Sequence, residues 1–130
     1  TELDNIDSEE GIEKFALALE DRFGPRPRVV EELFEGLRLR WIARSLGFDR
    51  VTLKTTVLRC YFHKNAQSAY YESAIFDRLI KLLGSKGRVL DIQLKQSATR
   101  LLMIKEKIKS MKSAREFLLS LQQMTEQETV

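Results

Sequence analysis

At 130 residues, 43% of them hydrophobic and 32% charged, the chain has the size and composition of one globular domain that buries a core without disulfides or metal. The 22 basic and 19 acidic residues leave a net charge of +3, a near balance too small to argue for a dedicated nucleic-acid surface. The single cysteine, Cys60, excludes an internal disulfide and fits a reducing, cytoplasmic setting, and no apolar run approaches the roughly 18 residues of a membrane span.

In chain order, the sequence opens at Thr1 without a methionine and stays acidic and polar, which reads as a piece excised from a longer protein. Residues 1–6 form a lead-in linker. Asp7 or Ser8 caps a first helix, with Glu10 placed to return a bond to the cap and Ile12, Phe15, Ala16, Leu19 and Phe23 on one apolar face. Its other side is acidic through Glu9, Glu10, Glu13, Glu20 and Asp21. That side is either a solvated face or a docking surface for a basic partner, for which Glu9, Glu13 and Glu20 are the candidate contacts.

The helix stops at Gly24, which tolerates a positive φ, followed by Pro25, which cannot continue a helix. Pro27 is placed at the first position of a second helix, where its missing amide costs nothing. Val30, Leu33, Phe34, Leu37 and Trp41, widened by Ile42 and Leu46, form that helix's apolar stripe, and Gly47 closes it. Beyond Gly47 the period changes. Val51 and Leu53 alternate with Arg50, Thr52 and Lys54 as a strand, Thr55 and Thr56 turn the chain, and residues 57–62 make a more interior strand. The pair reads as a hairpin whose turn type is open, since no Asn-Gly or Asp-Gly is present.

A polar loop over residues 63–68 leads to a short helix starting near residues 68–70 and stopping at Gly84, with Ile75, Phe76, Leu79, Ile80 and Leu83 inward. Gly84 to Gly87 is a turn. Residues 89–95 alternate as a half-wet strand, and residues 99–105 form its partner, chosen as strand over helix because the apolar run is short and follows a polar turn. Ser113 and Glu116 have capping-box spacing for a last helix that starts there or at Ser110, with Ala114, Phe117, Leu118 and Leu121 inward. Residues 125–130 are a polar, frayed tail. The expected fold is α+β, with helices on a small, mainly antiparallel sheet in the order α-α-β-β-α-β-β-α.

Asp21, Arg22, Phe23 and Gly24, then Pro27, then an arginine- and leucine-rich helix closing on Ala43, Leu46 and Gly47, resemble the C-terminal domain of bacterial transcription-repair coupling factor. The later order of strands and helices is similar to that domain in pattern. The resemblance implies a regulatory part of an ATP-driven DNA translocase that displaces stalled RNA polymerase and recruits nucleotide excision repair. It implies autoinhibitory packing on the N-terminal domains of the same protein, which masks the surface for the excinuclease damage-recognition subunit. The corner residues, Leu46 and Gly47 are read as structural.

No chemistry-bearing constellation competes with that reading. Cys60 and His63 are the only residues of their types, and their odd separation sends strand side chains to opposite faces. Gly84 to Gly87 lacks phosphate-loop spacing and precedes a strand. Adjacent acids such as Glu31 and Glu32 diverge on a helix. The expectation is therefore no catalytic residue, no cofactor and no metal. Two basic stretches, Arg22, Arg26 and Arg28, and Lys105, Lys107, Lys109 and Lys112, are read as ordinary or interdomain surface in preference to DNA contacts, because neither is interleaved with exposed aromatics. Alternatives from other classes are a nucleic-acid-binding accessory domain, a scaffold for an unrelated partner, and an enzyme with an unrecognised site.

Overall fold

The computed structural model describes residues 5–127. Its order is α1 (Glu9–Phe23), α2 (Arg28–Leu46), β1 (Phe48–Lys54), β2 (Val57–Phe62), α3 (Ala74–Lys86), β3 (Ile92–Gln96), β4 (Leu101–Lys105) and α4 (Met111–Gln127), the expected α-α-β-β-α-β-β-α. The strands form one sheet in the order β1-β2-β4-β3, antiparallel throughout. The two hairpins thus lie side by side, joined through β2 and β4.

The pleat divides the sheet. Leu58, Cys60 and Phe62 of β2, Met103 of β4, Phe48 of β1 and Ile92 of β3 are buried together with Leu39, Ala43 and Leu46 of α2, Leu79, Leu82 and Leu83 of α3, and Ala114, Leu118 and Leu121 of α4. Burial pushes the Cys60 thiol well above its usual range, so it stays protonated as a packing group. The alternate strand positions, Val57, Tyr61, Leu102 and Ile104 among them, belong to neither core cluster. A second, smaller core of Ile12, Ala16, Phe34 and Leu37, flanked by Ile6, Phe15, Val30 and Trp41, joins α1 to the first half of α2.

Those two cores explain where α2 departs from the expected stripe. Val30, Phe34, Leu37 and Trp41 face α1, while Leu39, Ala43 and Leu46, on the other side of the helix, face the main core, so α2 carries two apolar stripes that overlap between Leu37 and Trp41. Leu33 is left exposed, Trp41 is only half-buried, and Leu39, outside the expected stripe, is buried.

The ends of α1 and α2 are set by local chemistry. Ser8, of the two candidates, caps α1, its Oγ accepting from the Gly11 amide at 3.1 Å. Gly24 ends the helix at φ 84°, ψ −163°, a region essentially reserved for glycine. A Cβ built on Gly24 would meet nothing within 4 Å, so a substitution there is penalised by the backbone alone. Gly24→Ala is expected to cost on the order of 1–3 kcal/mol, read as a shift in the urea midpoint; an unchanged midpoint would contradict it. Pro27 corrects the expectation by one residue: it sits before the helix with ψ 158°. The helix starts at Arg28, where the Pro27 carbonyl accepts from the Val30 amide at 3.1 Å.

The hairpin turn is a two-residue loop in which Thr55 and Thr56 both have positive φ, 50° and 61°. This is the geometry that twisted hairpins favour, filled by the residue class least suited to it. The Thr56 carbonyl is held by the Ile108 amide at 2.9 Å. Replacing the pair by Asn-Gly keeps that backbone contact and is expected to raise stability by about 1–2 kcal/mol. Thermal melts of the double variant check this, and a lower midpoint would contradict the reading.

Further along, four boundaries move. Ser73 caps α3 by accepting from the Phe76 amide at 3.2 Å, so the expected start near residues 68–70 is instead a separate 3-10 turn, Ala69–Glu72. The helix also runs through Gly84 to Lys86, and the tetrapeptide read as a turn is mostly its last turn. Asp91 at φ 57° reverses the chain, so the third strand begins at Ile92 and Val89 is solvent-exposed. Its partner begins at Leu101 because Ser97 and Arg100 close the turn between them.

The α4 start is the earlier of the two expected. Ser110 Oγ accepts from the Ser113 amide at 3.1 Å, and its carbonyl accepts from Ala114 at 3.0 Å. Ser113 therefore lies inside the first turn and no capping box forms with Glu116. At the other end α4 continues to Gln127, past the expected start of the tail, because Thr125 is buried and its Oγ1 donates to the Leu121 carbonyl at 2.8 Å. Ile6, assigned to the linker, packs on the small core, and its carbonyl accepts from Trp41 Nε1 at 3.3 Å. The rest of both end segments, residues 1–4 and 128–130, lies outside the described residues.

Candidate docking surface

The corner motif and α1 form an appendage, since α1 shares its core only with α2. Ion pairs reinforce that junction. Arg38 of α2 grips Glu9 of α1 in bidentate fashion, Nε to Oε1 at 2.5 Å and Nη2 to Oε2 at 3.1 Å, and reaches Glu35 at 3.3 Å. The hydrogen bond that Arg38 donates to Glu9 is the largest cause raising the Arg38 pKa, with burial opposing it. Glu35 in turn pairs with Arg115 of α4. One charge-assisted chain therefore runs from α1 through α2 to α4.

At the corner Arg26 pairs with Glu20 at 2.9 Å and Glu31 at 3.1 Å, and its guanidinium lies 5.8 Å from the Phe34 ring centre. Two of the three acids singled out from the sequence, Glu9 and Glu20, thus spend their charge inside the domain. Glu13 is exposed and makes no ion pair among the described residues, as is true of Asp21.

Between Glu13 and Asp21, one helical turn from each, stands Leu17, 63% exposed. Sequence reasoning passed over Leu17 because it breaks the inward period, and that same out-of-phase position is the signal that could have found it. Phe23 was expected on the inner face but is 76% exposed. Phe23 is the last residue of α1, before Gly24, and Arg28 and Val29 in the first turn of α2 are exposed as well. Arg22 covers one side of the Phe23 ring at 5.8 Å. With Val29 and Leu33, four large apolar side chains are exposed on the two helices flanking the corner.

The other end of α2 is buried. Gly47 takes φ 95°, ψ 11°, its amide bonded to the Ala43 and Arg44 carbonyls, while the Tyr70 hydroxyl donates to the Leu46 carbonyl at 2.6 Å. Burial, with Tyr71 second, raises the Tyr70 phenol well above its usual range. Asp21, Arg22, Phe23, Gly24 and Pro27 therefore build an exposed corner, and Leu46 and Gly47 a buried junction 20 residues away along α2.

The sequence model of the TRCF domain matches residues 1–73, which is α1 through the first hairpin and the 3-10 turn. The chain belongs to the TRCF domain family. The matched region of this TRCF domain contains both halves of the motif and the exposed corner between α1 and α2. No curated protein sequence matches the chain. Among solved structures it is similar to the crystal structure of the C-terminal domain of a transcription-repair coupling factor, with a TM-score of 0.60 and 19% identity over 98% of this chain and 79% of that one. At that identity the likeness establishes the fold.

The remaining chemistry-bearing residues are placed without convergence. Cys60 is in the core and His63 in the loop after β2, where its backbone carbonyl accepts from the Tyr71 hydroxyl. Lys105 donates to the Leu90 carbonyl at 3.0 Å, which ties down the first residue of the second basic stretch. No helix in the described residues is long and apolar enough to cross a membrane.

Proposed function

We propose that this TRCF domain is a non-catalytic regulatory module of a transcription-repair coupling factor. It restrains the parent translocase by packing the outward face of α1 on the parent's N-terminal domains. That packing masks the surface for the excinuclease damage-recognition subunit until RNA polymerase is engaged. The observation that carries the reading is the α1 face itself: Glu13 and Asp21, unpaired among the described residues, flank an exposed Leu17. A small apolar anchor with a free carboxylate one turn to either side, and the exposed Lys14 beside it, suits a modest, releasable interdomain contact better than a permanent one.

The test is made in the parent protein. Glu13→Lys with Asp21→Lys is expected to raise basal translocation several-fold and expose the repair-factor binding surface, with the melting temperature of the domain unchanged because neither residue is paired inside it. Clean deletion of the domain should do the same. Basal activity that stays at the parent level in both would overturn the reading. Glu9→Lys is the poorer probe, since it breaks the Arg38 clamp and mixes docking with stability.

A further inference from the structure

We propose that the helix-free face of the sheet binds single-stranded nucleic acid, with Tyr61 as the base-stacking platform and Arg50, Arg59 and Lys95 as phosphate contacts. The strand registers generate the face. Arg50 of β1 stands opposite Tyr61 of β2, Tyr61 opposite Leu102 of β4, and Leu102 opposite Lys95 of β3. The next row of that face is Thr52, Arg59, Ile104 and Gln93. Neither row contains a carboxylate, in a chain whose charges are otherwise nearly balanced.

The cations sit where a strand lying across the sheet would need them. Arg50 and Lys95 are on the two edge strands and exposed, about 14 Å apart at the usual strand spacing, with Tyr61 and Arg59 between them. The Arg100 guanidinium lies 4.9 Å from the centre of the Tyr61 ring and is anchored by Asp49 at 2.6 Å. Arg50 lies 5.5 Å from the same ring, is exposed, and has no ion pair among the described residues, so it can swing to a phosphate and leave the ring to a base. The row ends beside a cleft of about 240 Å³ lined in part by Lys64 and by Arg100, whose charge Asp49 partners.

An acidic polypeptide would satisfy the same charges. The Arg50 and Arg100 guanidinium groups beside the Tyr61 ring and the scarcity of exposed aliphatic surface favour a base with its phosphates. The basic stretches weighed from sequence could not reveal this face, because its residues come from all four strands. α1 packs on α2 and not on this face, so the inference stands apart from the restraint reading.

The experiment is fluorescence anisotropy of the 130-residue chain with labelled oligothymidylate at several salt concentrations. Arg50→Gln, Arg59→Gln and Lys95→Gln combined is expected to weaken binding at least tenfold and to reduce the slope of log affinity against log salt by about 2, three contacts at roughly 0.7 each. Tyr61→Leu should weaken binding about tenfold, while Tyr61→Phe stays within about twofold. Melting curves of each variant confirm folding, and the surface triple variant keeps the test open should Tyr61→Leu unfold. Absence of binding at 50 mM salt, equal binding of a duplex of the same length, or full displacement by polyglutamate would overturn the proposal, the last by assigning the face to an acidic polypeptide.

Discussion

Gly47→Ala is expected to destabilise the domain by roughly 3 kcal/mol or more, the sum of a left-handed backbone penalty of about 1–2 kcal/mol and a steric one. The conformation at φ 95° disfavours any side chain. A Cβ there would also lie 1.9 Å from Cε1 and 2.1 Å from Cζ of Tyr70, so the ring must leave. Leaving costs the hydroxyl bond to Leu46 and the edge-on contacts with Tyr71 and Phe76, both at 5.3 Å between ring centres. The two penalties are separable. In a Tyr70→Ala background the space is free, and the same substitution should cost only about the backbone share, 1–2 kcal/mol. Equal costs in the two backgrounds, measured by denaturant unfolding, would refute the steric assignment.

Phe62→Ala is expected to cost about 3–5 kcal/mol. The ring is fully buried at the end of β2 and packs edge-on against Phe48 at 4.9 Å and Phe76 at 5.8 Å. It joins the sheet to the segment carrying α3. Truncation removes its transfer free energy, both aromatic contacts and the support for two neighbouring rings, and the surrounding strand backbone cannot collapse into the space. A loss below about 1 kcal/mol would mean the site repacks. Leu94→Ala on the edge strand, where the side chain is 41% exposed, is the control and should change little.

Most of the fold was legible because the signals are local. Proline and glycine mark the corner, period-two alternation marks β1, and short apolar runs bounded by polar turns mark the second hairpin. What was not legible depended on partners distant in sequence. The expected stripe of α2 assumed one neighbour; two neighbours divide it, so Leu39 goes in and Leu33 comes out. Pattern alone assigned Val89 to a strand, whereas the positive φ at Asp91 removes it from one. In the docking surface the acidic side of α1 was visible, yet the capture of Glu9 by Arg38, 29 residues on, and of Glu20 by Arg26 across the corner could be seen only in three dimensions. Those captures shift the docking proposal to Glu13, Leu17 and Asp21. The family resemblance rested on the DRFG corner and the Leu46-Gly47 junction, and both lie within the region matched by the family.

The restraint account is tested most directly in trans, by adding the isolated 130-residue chain to a parent translocase that lacks it and measuring DNA translocation. The account predicts that the wild-type chain lowers the activity in a saturable manner and that the Glu13→Lys, Asp21→Lys chain, equally folded, does not. Inhibition of equal strength by both chains would contradict the assignment to α1, and no inhibition by either at saturating concentration would contradict the restraint itself.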